Sequence, residues 1–254
     1  MKDFEGKSRR LRERIKLALP VRVQCRESVG HEWSEMSRLV DVTPFGARFQ
    51  LLRPTERGRL LHLTLPMPRQ LRCFDHIEDQ YRVWALVRHV MPRVSPGEPL
   101  RFEVGAAFTG RHPPPSYMKD PATRYDVGPL TAEGGLYGLR ELDEAEQAAA
   151  PGGGQAARSV ETRLQMAVNV IIEVFDSQGR PGEREQTVTE NISRRGAAVW
   201  TSLKVERGRF LRVTDAATGL SVIAAVRGRR NGPDGIPRLH LQFLDRQWPL
   251  DGIE

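Results

Sequence analysis

Apolar and polar side chains alternate in short runs along most of the chain, the period of two expected of strands half-buried against a core. In the N-terminal part this pattern predicts strands at Val21–Cys25, Leu39–Val42, Ala47–Leu52, Leu60–Leu65, Arg82–Val90 and Phe102–Phe108. In the C-terminal part it predicts Val168–Val174, Gln186–Asn191, Ala197–Trp200, Arg209–Val213, Ser221–Arg227 and Arg238–Leu244, with Asn231–Gly235 as a long turn. Six short strands per half, separated by turn signals, imply an all-β chain of two small six-stranded antiparallel barrels in tandem. No run approaches the ~18 apolar residues of a membrane span.

The halves are copies of one another. RERIKLALPVRV (Arg12–Val23) aligns with ETRLQMAVNVII (Glu161–Ile172), placing Arg14 on Arg163. VDVTPFGARF (Val40–Phe49) aligns with ENISRRGAAV (Glu190–Val199), placing Gly46 on Gly196, and VWALVR (Val83–Arg88) aligns with VIAAVR (Val222–Arg227). One duplicated barrel accounts for all three matches.

Between the copies the composition changes. The stretch from Pro113 to Ala157 opens on three prolines, ends near Gly152–Gly154, and carries seven acids against three bases. It reads as an acidic Pro/Gly/Ala-rich linker in which little is expected to pack, apart from a short helix over Glu141–Ala150. The expected organisation is residues 1–112, a linker over 113–157, and residues 158–254.

Charge and the reactive residues narrow the function. A net charge of +7, dominated by arginine, favours an anionic partner. Cys25 and Cys73 form no CxxC pair and read as free thiols, and the six histidines lack metal-ligand spacing. No GxSxG, P-loop, GxGxxG or paired carboxylates occur, so the chain reads as a non-enzyme without cofactor or metal. Trp33, Trp84, Trp200 and Trp248 read as core or barrel-end packing, and Arg227–Arg230 as a solvated hairpin end. The charged N-terminus lacks the apolar centre of a signal peptide, which makes the cytoplasm the expected location.

Two short elements recur. The first is a basic arm before the first strand, Arg9-Arg10-Leu11-Arg12-Glu13-Arg14. The second is a turn of acid or amide, hydroxyl and glycine: Asp41-Val42-Thr43-Pro44-Phe45-Gly46 and Asn191-Ile192-Ser193-Arg194-Arg195-Gly196. Guanidinium groups hold phosphate in bidentate geometry and stack on purines, a carboxylate or amide pairs with a guanine edge, and glycine admits close approach. The same turn is equally good hairpin chemistry, because Asx and hydroxyl side chains cap turns.

The pairing and order of these elements resemble the PilZ family, whose signature is RxxxR before the first strand and [D/N]xSxxG some 20–30 residues later. The first copy carries Arg10-x-x-x-Arg14 and Asp41-x-Thr43-x-x-Gly46. The second carries Asn191-x-Ser193-x-x-Gly196, but Ser159 stands where its first arginine belongs. The resemblance covers roughly residues 8–110 and 158–246. It implies split-barrel domains and a cyclic di-GMP receptor in which ligand changes domain arrangement or partner docking. Arg10 and Arg14, with Arg9 assisting, would clamp phosphates and guanine faces, while Asp41, Thr43 and Gly46 would meet the ligand from the turn. In the second copy Arg158, Arg163, Asn191, Ser193 and Gly196 would form a weaker site, since losing an arginine costs more than the Thr43 methyl. The alternatives are a ligand-free interaction module of motility or pilus assembly, with an unnamed protein partner, and a small-barrel nucleic-acid binder, which an aromatic content of 7% disfavours.

Overall fold

A computed structural model describes residues 15–94, 97, 99–128, 138–143, 146, 163–232 and 234–250. Each of the twelve predicted strands overlaps one strand of two closed antiparallel barrels, four of them (ending at Leu52 or Leu244, or starting at Val168 or Arg209) overrunning it by one residue. The first comprises β1 (Pro20–Ser28), β2 (His31–Thr43), β3 (Gly46–Leu51), β4 (Leu60–Leu65), β5 (Tyr81–Arg93) and β6 (Arg101–Gly110), in the order β1-β2-β3-β6-β5-β4. After it come a short helix α1 (Pro115–Lys119) and a hairpin of β7 (Tyr125–Gly128) and β8 (Gly138–Glu141). The second barrel comprises β9 (Asn169–Phe175), β10 (Pro181–Ser193), β11 (Gly196–Trp200), β12 (Phe210–Asp215), β13 (Ser221–Asn231) and β14 (Pro237–Phe243), ordered β10-β11-β14-β13-β12-β9.

Alternation on each strand puts one set of side chains inside. On β1, Val21, Val23 and Cys25 are buried while Arg22, Gln24 and Arg26 face outward. The duplication extends to irregularities of the ladder. β2 pairs with β3 through a bulge between Leu39 and Asp41, and β10 pairs with β11 through a bulge between Thr189 and Asn191. β5 and β13 bulge at matching places, Val87/His89 and Val226/Gly228. Strands β2 and β10 start well before the predicted segments. Their first halves place Glu35 and Ser37, or Glu185 and Thr187, at partly covered inward positions, which blurs the alternation.

The expectation that little of the linker packs is corrected for its described part. Tyr117 from α1 and Tyr125 from β7 are buried against Leu60 and Leu86 on the outside of the first barrel, with Trp84, Val127 and Leu139 around them. Two aromatic rings bury enough apolar surface to outweigh the flanking Pro/Gly composition. Of the proposed Glu141–Ala150 helix, most residues lie outside the described ones; Leu142 and Asp143 are non-helical.

The barrels meet through a buried polar hub. Glu56, 3% exposed, accepts hydrogen bonds from Arg59 of its own barrel (3.1 Å), Arg124 of the linker (3.1 Å) and Arg227 of the second barrel (3.0 Å). Burial alone would raise the Glu56 carboxyl, but Arg227, Arg124 and Arg59 outweigh it and hold the group below the usual carboxylate range. Arg59, 1% exposed, also donates to the carbonyls of Glu27 (3.0 Å), Pro121 (3.2 Å) and Gly208 (2.6 Å). Gly208 has φ +94°, and a Cβ there would lie 2.3 Å from the Glu27 carbonyl oxygen, so glycine is required where the second barrel's backbone abuts the first. Around this hub Ile223 joins the first barrel's core, and Phe175 and Leu244 pack against it.

Candidate functional site

The acid-hydroxyl-glycine turns close the β2–β3 and β10–β11 hairpins, and their geometry is the same in both copies. Thr43 Oγ1 donates to the Gly46 carbonyl (3.4 Å) and accepts from the Phe45 N–H (3.2 Å). Ser193 Oγ donates to the Gly196 carbonyl (3.3 Å) and accepts from the Arg195 N–H (3.3 Å). Both hydroxyls therefore perform the turn-capping role that their sequence allowed. The glycines are explained by packing: a Cβ on Gly46 would lie 2.4 Å from the Ala106 carbonyl oxygen on β6, and one on Gly196 would lie 2.4 Å from that of Leu241 on β14.

The base of each arm is tied to its turn strand. Ile15 and Val42 exchange two backbone hydrogen bonds of 3.0 Å, and Leu164 and Ile192 do the same at 2.8 and 3.0 Å. Each bridge sits one residue beyond the motif's acid or amide. In the second barrel Arg163, next to the bridge, donates to Asn191 Oδ1 at 3.3 Å. The arm residues Arg9, Arg10, Arg14 and Arg158 lie outside the described residues. Of the remaining candidates, Asp41, Thr43 and Gly46 come together at one turn, and Arg163, Asn191, Ser193 and Gly196 at the other.

The cross-strand neighbour of the motif's acid or amide differs between the copies and was not evident from the motifs. Asp41, 5% exposed, accepts from Arg48 Nε at 2.9 Å, and Arg48 also donates to Glu103 at 3.2 Å. The β2 bulge sets Asp41 opposite Arg48 across the hairpin, whereas in the second barrel Asn191 faces Ala198. The amide of the second turn thus accepts from Arg163 of its arm, and the carboxylate of the first accepts from Arg48 of its own hairpin. A histidine also stands beside each turn, on opposite strands of equivalent pairs. His89 on β5 covers Gly105 of β6, while His240 on β14 faces Gly228 of β13. Burial lowers the pKa of His240, with Arg163 and Arg230 lowering it further and Glu190 opposing them.

The hub was also missed, although the sequence held its signal. Glu56-Arg57-Gly58-Arg59 recurs as Glu206-Arg207-Gly208-Arg209, in register with the turn motifs. Gly58 and Gly208 donate to Val87 and Val226 respectively, the same bond in both barrels. Cys25 is a buried thiol, raised to about 12 by burial; Cys73 is half-buried, and its Sγ donates to the Pro44 carbonyl at 2.9 Å; neither is in a disulfide. Among the described residues no group of three or more His, Cys, Asp or Glu could hold a metal ion, and no helix is long and apolar enough to cross a membrane.

No family model and no curated protein matches the chain. Among solved structures, the inhibitor of motility MotI/DgrA of Bacillus subtilis is 14% identical with a TM-score of 0.30, covering 91% of this chain and 90% of that one. PlzA of Borreliella burgdorferi in complex with c-di-GMP is 10% identical with a TM-score of 0.29, covering 94% and 90%. YcgR of Escherichia coli in complex with c-di-GMP is 11% identical with a TM-score of 0.28, covering 89% and 76%. At these scores the likenesses bear no weight for fold or function.

Proposed function

We propose that the chain is a receptor for cyclic di-GMP that works by binding and docking, without catalysis. What supports this reading is the pair of bridges, Ile15 to Val42 and Leu164 to Ile192, which hold the residue that follows Arg14 or Arg163 in sequence against the strand of the acid-hydroxyl-glycine turn. Phosphate would meet the arm's guanidinium groups, and guanine edges would meet Asp41 or Asn191. The first barrel is the principal site, because its arm alone carries both Arg10 and Arg14. Parting the barrels would take Arg227 away from the buried Glu56 carboxylate and the Gly208 carbonyl away from Arg59, which favours an output through arm ordering and docking of a protein partner over reorientation of the barrels. Titration of the full chain with cyclic di-GMP, comparing wild type with Arg14→Ala and Arg163→Ala, tests this.

A second reading is favoured by a specific observation: Thr43 and Ser193 are engaged in their own turns and Asp41 in an ion pair with Arg48. On that reading both barrels are ligand-free modules for a protein partner. It predicts no binding by either turn in a chain that is fully folded.

A further inference from the structure

The outer face of the first barrel carries a cation-aromatic groove that neither turn motif explains. Register stacks its side chains into two cross-strand rows over β1, β4 and β5. One row is Arg22, Thr64 and Arg82; the next is Gln24, His62 and Trp84. The His62 and Trp84 rings lie 5.1 Å apart, and Tyr117 from α1 meets the far side of Trp84 edge-on at 5.1 Å. His62 Nδ1 contacts Gln24 Oε1 at 3.2 Å, which fixes the imidazole beside the indole. Arg22 is held by a single bond from Nε to Ser34 Oγ (3.1 Å), leaving its terminal nitrogens available. Among the described residues, none of Arg22, Arg26 and Arg82 forms an ion pair. The cavity along the Gln24–His62–Trp84 row has a volume of about 470 Å³ and is also lined by Arg22 and Arg26, with Arg82 outside its lining beyond Thr64; Ser177 and Gln178 of the second barrel flank it, and Glu32 is the one carboxylate among its described lining residues.

The duplicated barrel supplies an internal control. At equivalent positions of the second barrel, Ile171 replaces Arg22, Glu173 replaces Gln24, Arg212 replaces His62 and Ile223 replaces Trp84. There Arg212 pairs with Glu173 at 3.8 Å, and Ile223 is buried against the first barrel. The fold therefore does not require exposed arginines or an aromatic row at these positions. Unpaired guanidinium groups beside a half-exposed ring pair are suited to a planar base joined to a phosphate: the base stacks on the aromatic row while the anion meets the arginines.

We propose that this face binds a nucleobase bearing a phosphate, stacked along His62 and Trp84 with its phosphate on Arg22 and Arg82. The volume falls in the range of small-ligand sites and suits a single nucleotide. The ligand is then either a free nucleotide or one residue of a single strand. The site lies apart from both turns, and its test is independent of cyclic di-GMP.

The experiment uses the full chain with two probes: AMP by titration calorimetry, and a fluorescein-labelled octauridylate by anisotropy. Arg22→Ala/Arg82→Ala is the test variant, since both side chains are exposed and contribute nothing to a core. The expected result is saturable binding that falls tenfold or more in the double variant, with a salt dependence for the octauridylate shallower by about one log unit per log unit of salt. Binding of both probes identifies a free nucleotide as sufficient, and binding of the octauridylate alone identifies a strand. Absence of binding by both probes, or binding that the double variant retains, overturns the proposal. His62→Gln, which keeps a polar side chain but removes the ring, is expected to weaken both probes as well; full retention would also count against it.

Discussion

Replacing Glu56 by Gln removes one negative charge from the centre of the interface and almost no volume. The carboxylate accepts from Arg59, Arg124 and Arg227, and the first two guanidinium groups have side chains 1% and 5% exposed. A neutral amide offers one acceptor oxygen and turns an NH2 donor toward groups that can only donate. Removing one partner of a buried ion pair costs about 3–5 kcal/mol, because the opposite charge stays buried without compensation. For a chain of this size each kcal/mol lowers Tm by about 2–4 °C, so a fall of about 6–20 °C is expected. Because Arg227 is supplied by the second barrel and Arg124 by the linker, the loss should also weaken coupling between the barrels. Differential scanning calorimetry should show a single transition in wild type and a lower, broader or split transition in the variant. A double-mutant cycle with Arg227→Ala should return a coupling energy well above the few tenths of a kcal/mol of independent sites. A Tm within about 2 °C of wild type, or full additivity in the cycle, would refute the assignment of the hub.

Other consequences are equally direct. Gly46→Ala and Gly196→Ala push a methyl to 2.4 Å from a carbonyl oxygen of the neighbouring strand, so each should cost about 1–3 kcal/mol or more by chemical denaturation even without ligand. Burial pushes His31 down to about 4, with Arg209 and Arg53 adding to the effect. The unfolded chain therefore binds the proton more readily, and stability should decline as pH falls from about 6.5 toward 4. His31→Gln should flatten that part of the curve; an unchanged slope would exclude His31 as its source. If Arg48 competes with guanine for Asp41, Arg48→Ala should alter cyclic di-GMP affinity severalfold while Arg212→Ala leaves it unchanged.

Strand identity was legible because inward positions such as Val21, Val23, Leu61 and Leu63 are apolar and regularly spaced. The early residues of β2 and β10 were not, since their partly covered positions hold polar side chains that make bonds of their own. Glu35 accepts from the Leu52 N–H, and Glu185 from the Ser202 N–H. Linker packing was hidden for a different reason: two tyrosines anchor a segment whose average composition resembles a tether. The turns were located by motif. The Asp41–Arg48 pair was not, because it depends on a bulge that changes which residues face each other. A repeat comparison carried through Glu56–Arg59 and Glu206–Arg209 would have flagged the hub, though not the convergence of Arg124 and Arg227 on one carboxylate.

The central claim is most directly tested by isothermal titration of cyclic di-GMP into the full chain. Saturable binding is predicted, weakened by about one to two decades in Arg14→Ala, since a charge-assisted bond to phosphate is worth about 1.5–3 kcal/mol. A smaller loss is predicted in Arg163→Ala. The absence of any binding heat across calorimetrically useful concentrations, with circular dichroism showing intact barrels, would contradict the receptor reading and leave the ligand-free module in its place.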